Sequence, residues 1–244
     1  MDESPIKPSK ATRATWPAGF PRVDIHAKEA RVKGHPYYAA AKAGDPDAAI
    51  ALVKGVLNQS LIRSLRKYKA DSPLLVPVQG IEGVSRNPIP MAMAVQLEVA
   101  LGYPVAAEIY QTSKAAHTGA TGWWRLLSQA LFDGEIPTEN CILVDDFVGM
   151  GGTYANLRGY VESKGGRVLS CVAMTGKPRS ANIALTDGTL RALRQKYGAD
   201  LEDWWKSTFG YGFDALTESE ARYLIRAEDA DTIRARLLEA AEQG

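Results

Sequence analysis

The sequence predicts an α/β fold in which a parallel sheet is covered by helices on both faces. Three observations carry that expectation. Short apolar runs at residues 74–78 (LLVPV), 105–110 (VAAEIY) and 141–144 (CILV) are too brief for helices and read as strands. Segments of helical spacing alternate with them, which is the pattern of βαβ units. Gly80, and further on Gly149, Gly151 and Gly152, follow the ends of two of these runs, where open parallel sheets bind their ligands.

Taken in order, residues 1–21 are rich in Pro, Lys and Ser, so a loosely packed arm is expected, with Trp16 and Phe20 as its anchors. His35, Pro36, Tyr37 and Tyr38 read as packing and turn chemistry. Asp45 before Pro46 is a cap and first-turn pair, and Ile50, Val53, Leu57, Leu61 and Leu65 extend one helix to about Tyr68. The strand at 74–78 leads into a loop over 79–87, then an apolar helix over 90–101 closed by Gly102. A strand over 105–110 precedes a long connection over 111–140. The run 141–144 ends at Asp145 and Asp146, and a glycine turn then enters a helix. Thr153 is its expected N-cap, Leu157, Tyr160 and Val161 its apolar stripe, and Gly165-Gly166 its stop. Cys171 falls in the next strand. Residues 189–197 and 200–206 are helical in character and separated by Gly198, and one last helix is expected over 218–241. Three parts follow: an amino-terminal arm and helical extension (1–70), an α/β core (71–176) and a carboxyl-terminal helical cap (177–244).

The 244 residues, 45% apolar and 23% charged, suit a soluble globular protein with one sizeable core. A formal charge of +1 gives no general attraction for nucleic acid or anionic lipid. The cluster Arg63, Arg66, Lys67 and Lys69 reads as a solvated helix face, so neither nucleic acid nor a membrane is an expected partner. Cys141 and Cys171 read as buried free thiols, and no metal-ligand spacing joins them to His26, His35 or His117. No apolar run approaches the roughly 18 residues of a membrane span, and the amino terminus lacks a signal-peptide core. A cytoplasmic setting is expected.

The chemistry concentrates at residues 145–153. Glycines let consecutive amides turn toward one point and form an anion-binding hollow, and the helix that follows adds the partial positive charge of its amino terminus. Two carboxylates stand directly before this hollow. Phosphate on the amides of Gly149, Met150, Gly151, Gly152 and Thr153, with ribose hydroxyls on Asp145 and Asp146, describes a sugar-phosphate site. Two other glycine loops are set aside. The dinucleotide fingerprint needs a glycine where Tyr154 stands, and the P-loop needs Gly-Lys-Ser/Thr where the chain has Gly151-Gly152-Thr153.

The run ILVDDFVGMGGT resembles the phosphoribosyl pyrophosphate (PRPP) signature of type I phosphoribosyltransferases, matching it at Ile142, Leu143, Val144, Asp145, Asp146, Val148, Gly151, Gly152 and Thr153. It departs at Gly149 and Met150, where that family usually carries small hydroxylated residues. Val76-Pro77-Val78, Arg86-Asn87 and the helix ending Leu101-Gly102-Tyr103-Pro104-Val105 look like the first half of the ComF-like group, so the resemblance covers about residues 73–175. It implies a phosphoribosyltransferase-like fold with a flexible hood over 111–140 and extra helices at both ends, and it is compatible with a homodimer. It also implies PRPP or a nucleoside 5-monophosphate as ligand, a nitrogenous base as acceptor, and magnesium (Mg2+) arriving with the pyrophosphate.

Under that resemblance the pyrophosphate holders are Gln79, Gly80 and Arg86. Lys114 or Arg125 is the candidate hood cation that closes over the leaving group, and His117 is a candidate acid or base. Each also reads as an ordinary loop residue. Trp123 or Trp124 is either a base platform or core packing, since neighbours cannot both face one pocket. The expected activity is phosphoribosyl transfer to or from a base. The rival is a non-catalytic sensor that keeps the sugar-phosphate pocket, favoured by Gly149-Met150. A phosphatase or kinase is the weaker third, because neither a phosphoryl-accepting Asp motif nor a P-loop lysine is present.

Overall fold

A computed structural model describes residues 8, 10–82, 85–113, 121–135 and 139–242, with the backbone alone at 81–82 and 85–86. It is an α/β protein with a parallel four-stranded sheet. The strands are β1 (Asp24–Ala27), β2 (Leu74–Pro77), β7 (Asn140–Val148) and β8 (Arg167–Gly176), in the order β1-β8-β7-β2. Between them run α1 (Glu29–Lys33), α2 (Tyr38–Lys42), α3 (Pro46–Val56), α4 (Gln59–Leu65), and then, after β2, the short antiparallel pair β3 (Ile81–Glu82) and β4 (Ser85–Arg86). Next come α5 (Ile89–Leu101), β5 (Tyr110–Gln111), α6 (Gly122–Leu127) and β6 (Phe132–Asp133), β6 being antiparallel to β5. The helix α7 (Gly152–Ser163) joins β7 to β8, and α8 (Asp187–Phe209), α9 (Glu218–Ile225) and α10 (Ala230–Glu242) complete the chain.

The strands are covered on both faces, and alternate residues divide between two cores. Leu75, Ile142, Val144, Val172 and Met174 pack with α3 and α5. Val76, Leu143, Cys171 and Ala173 pack with Tyr154, Leu157 and Val161 of α7. That two-sided burial explains why β7 and β8 read as continuous apolar runs rather than alternating ones. A third core lies among α8, α9 and α10 around Trp205, Phe209 and Phe213, and Leu126 and Leu127 of α6 belong to it. The helix α6 is therefore packed on the carboxyl-terminal helices.

Several sequence expectations are corrected. The segment before residue 70 is not only an arm and helices, because β1 pairs in parallel with β8, Asp24 opposite Val172 and Ala27 opposite Thr175. Its DIHA sequence hid it, being short, half polar and on the sheet edge. The single helix expected from Pro46 to Tyr68 is two. Asn58 accepts from the Ser60 and Leu61 amides to cap α4, while its own N–H donates to His26 Nδ1 at 3.0 Å. The strand expected over 105–110 shrinks to a bridge between Val105 and Leu75 followed by β5. Across Gly198, held at φ 71°, the two expected helices form the kinked α8. The final helix is broken between α9 and α10, where Lys196 Nζ donates to the carbonyls of Ile225 and Ala227 at 2.8 and 2.7 Å. Cys141 and Cys171 are buried free thiols, and burial pushes the Cys141 thiol up to about 11. No helix among the described residues is long and apolar enough to cross a membrane.

Candidate functional site

The strand β7 delivers the acid pair to a cleft of about 890 Å3 beyond the sheet's carboxyl edge. The pairing of β2 with β7 ends at Pro77 opposite Val144, so Asp145 and Asp146 stand one and two residues past the last rung shared with β2. Both are buried, at 7% and 9% exposure. The Asp146 amide donates to Asp145 Oδ1 at 2.8 Å, and Asp146 Oδ2 accepts from Lys42 Nζ at 3.1 Å and from Asn87 Nδ2 at 3.0 Å. Burial, and next the neighbouring Asp146, hold the Asp145 carboxyl well above the usual carboxylate range. The pair thus joins a carboxyl that favours its proton to one that meets an ammonium and an amide.

The glycine turn follows. Gly151, at φ 87° and ψ 2°, is the N-cap of α7, so the capping position expected for Thr153 belongs to a residue that must enter the left-handed region. Thr153 sits in the first turn. Tyr154, where a dinucleotide loop would carry glycine, is buried and donates its hydroxyl to the Val172 carbonyl at 2.6 Å, pinning α7 to β8.

The turn is gripped from the cap. Thr217 Oγ1 donates to the Met150 carbonyl at 2.6 Å. A Cβ on Gly151 would lie 3.1 Å from Ile183 Cγ1 and 3.3 Å from Thr217 Cγ2, and one on Gly152 would lie 2.8 Å from Glu220 Oε1. Glu220 receives both terminal nitrogens of Arg13, at 2.6 and 2.9 Å, while Arg13 Nε donates to Asn156 Oδ1 of α7 at 2.6 Å. The Arg13 side chain, only 1% exposed, also lies over the Tyr211 ring. The arm expected to be loose is anchored here, and again where Trp16 Nε1 donates to the Leu216 carbonyl at 2.7 Å.

Of the residues singled out from sequence, Asp145, Asp146, Gly149, Met150, Gly151, Gly152, Thr153, Gly80 and Arg125 all line this one cleft. Arg125 comes from α6, and its Nη1 lies 3.0 Å from where a Gly149 Cβ would be. Gln79 is not among the lining residues, and its side-chain amide donates to the carbonyls of Ala107 and Ile109, at 2.5 and 2.9 Å. Arg86 lies in β4 with only its backbone described, and Lys114 and His117 fall outside the described residues. Trp123 meets Tyr223 edge to face, with ring centres 4.9 Å apart, and packs against the cap core.

Sequence reasoning missed Lys42, the role of Asn87, and the cap residues Glu218, Arg222, Tyr223 and Arg226 that form a further wall. Lys42 meets Asp146 across 104 positions, and a lone lysine on a short helix carries no local signature of that meeting. Among the described residues no group of three or more His, Cys, Asp or Glu side chains is arranged to hold a metal ion.

Fold and cleft together define an α/β protein whose acid pair and amide turn share one hollow at a sheet's carboxyl edge. No protein-family model matches the chain. It is 39% identical over 231 residues to the protein TraN of Escherichia coli, which covers 94% of this chain and 51% of TraN. It is 35% identical over 151 residues to an uncharacterized protein of Haemophilus influenzae, which covers 61% of this chain and 34% of that one. The chain thus spans about half the length, or less, of these curated relatives. Among solved structures it is similar to the purine phosphoribosyltransferase of Pyrococcus horikoshii, with TM-score 0.33 and 18% identity over 54% of this chain and 83% of that one. The orotate phosphoribosyltransferase of Aeropyrum pernix gives TM-score 0.32 and 17% identity over 71% of this chain and 79% of that one.

Proposed function

We propose that the cleft binds a 5-phosphorylated ribose, as PRPP or a nucleoside monophosphate, and that the protein transfers the phosphoribosyl group to or from a nitrogenous base. The observation that carries this is the joining of a buried acid pair to a positive-φ glycine turn at a helix amino terminus, in one hollow of about 890 Å3. The amides of residues 149–153 and the start of α7 receive the 5-phosphate, with Arg125 beside Gly149. Asp145 and Asp146 accept the ribose hydroxyls and face the positive charge that grows on the ring as the bond from C1 to the pyrophosphate oxygen breaks. The leaving oxygen keeps the electron pair, and the base nitrogen supplies the pair for the new C1–N bond. Magnesium, when bound with pyrophosphate, would neutralise part of the leaving group's charge. Asp145 and Asp146 would be the carboxylates to orient its waters.

The cap's hold on the turn favours a second reading, a sensor that binds the same ligand without turnover. With Thr217 on the Met150 carbonyl and Glu220 against Gly152, a ligand seated on the turn is felt directly by α9. One set of assays separates the readings. Thermal shift with PRPP and magnesium should rise with ligand, reaching about 2.7 kcal/mol of stabilisation at 100 times the dissociation constant. Asp145→Asn with Asp146→Asn should remove it. Pyrophosphate release with a panel of bases identifies the transferase, whereas binding with no release for any base identifies the sensor. An undiminished shift in the double variant would overturn the assignment of the ribose to these carboxylates.

A further inference from the structure

We propose that Lys42, on α2 of the amino-terminal segment, completes the leaving-group half of the cleft by moving from Asp146 to a pyrophosphate oxygen when PRPP binds. This rests on the reading of the cleft as a sugar-phosphate site. Lys42 lines that cleft, and its Nζ lies 3.1 Å from Asp146 Oδ2. The same oxygen takes Asn87 Nδ2 at 3.0 Å, and the Asn87 N–H donates to the Gly80 carbonyl at 3.1 Å. Asn87 thereby closes the turn that begins at Gly80, so the ammonium stands where the acid pair meets that turn. Arg125 stands against Gly149, and Lys33, Lys177, Arg179, Arg222 and Arg226 also line the cleft. Of the cations that line the cleft, Arg125 is thus beside the glycine turn and Lys42 beside the acid pair where it meets the Gly80 turn, two places a bisphosphorylated sugar must fill.

The chemistry favours an exchange of partners. A ribose diol arriving on Asp145 and Asp146 brings hydroxyl donors that replace the donor Lys42 supplies. A lysine is a point charge on a flexible stem of four carbons, able to follow an anion over a few ångströms. Its side chain is 26% exposed and lines the cleft, so it is not sealed beneath it. A pyrophosphate bound to the anomeric oxygen offers charge next to the diol, and a cation already waiting at the diol's carboxylate has the shortest path to it. The lysine would then stabilise the leaving group as the C1–O bond lengthens, without forming a covalent bond itself.

The test uses the full chain, calorimetric titration with two probes, and three variants. PRPP with magnesium carries both phosphate ends, and ribose 5-phosphate carries only the 5-phosphate. Lys42→Met should weaken PRPP at least tenfold while leaving ribose 5-phosphate within about twofold, and Lys42→Arg should recover most of the loss. Arg125→Met should weaken both probes. Melting of each unliganded variant reports whether it is folded. Equal weakening of both probes by Lys42→Met would show that the lysine only holds Asp146 in place, and no weakening would show that it plays no part, so either result overturns the proposal. Binding of neither probe by the unaltered protein would instead overturn the sugar-phosphate reading, and the role of Lys42 with it.

Discussion

Gly151→Ala tests the grip of the cap on the glycine turn, because the fold contains a matched control. Gly151 and Gly210 have the same backbone, φ 87° and ψ 2°, each ending or starting a helix. A Cβ on Gly210 would meet nothing within 4 Å, whereas one on Gly151 would lie 3.1 and 3.2 Å from the Cγ1 and Cδ1 atoms of Ile183. Left-handed backbone costs a non-glycine residue roughly 1–2 kcal/mol, which is all that Gly210→Ala should lose. Ile183 is buried at 1% exposure among Tyr154, Leu157 and Val161, so it has little room to yield. Overpacking of that kind adds about 1–3 kcal/mol, for a total of about 2–5 kcal/mol at Gly151. In a chain of this size each kcal/mol moves the melting temperature by about 2–4 °C, so the two variants should separate clearly in thermal and urea unfolding. Ile183→Val in the Gly151→Ala background should recover part of the difference. Equal destabilisation by Gly151→Ala and Gly210→Ala would refute the claim that the turn is clamped from behind.

Two further outcomes follow from the structure. Asp145 has a raised folded-state value, so between the ordinary carboxylate value of about 3.9 and that higher one the folded protein holds a proton the unfolded chain has released, and stability falls as pH rises, by about 1.4 kcal/mol per unit at most. Asp145→Asn should remove this fall, so urea midpoints of variant and parent should diverge upward from about pH 4, and parallel profiles would contradict the burial of that carboxyl. At Gly159 a Cβ would lie 2.2 Å from the Thr12 carbonyl oxygen and 2.6 Å from Arg13 Cα, so Gly159→Ala should displace the arm and speed tryptic cleavage after Arg13. Unchanged cleavage would mean that the arm does not cross α7 there.

What could be read from the sequence was what repeats or clusters locally. The run 141–144 with its following glycines, the apolar strand at 74–77 and the helix closed by Gly102 all announce themselves within a dozen residues, and the structure places each as β7 and its turn, β2 and α5. The edge strand β1 escaped because an edge needs only half its side chains apolar. The break at Asn58 escaped because Leu57, Leu61 and Leu65 keep helical spacing across it, while the Asn58 N–H that would otherwise continue the helix goes to His26 Nδ1, 32 positions away. The acid pair and the turn were legible as a motif, whereas their supports were not. Lys42, Arg13 and Glu220 are isolated charges whose meaning comes only from meeting a group far off in the chain. Gln79 shows the same limit: its place in a loop suggested a ligand contact, whereas its side-chain amide goes to two carbonyls 28 and 30 positions away that no local pattern announces.

The pairing of Arg13 with Glu220 joins positions 207 residues apart directly behind the glycine turn. During synthesis the strand and helix on either side of that turn can form as soon as α7 and β8 have emerged, yet the brace that fixes the turn's backbone waits until residue 220 is free to dock. The hollow that would receive an anion is therefore among the last parts of this chain to reach its final shape, and any change that loosens either partner should be felt there first.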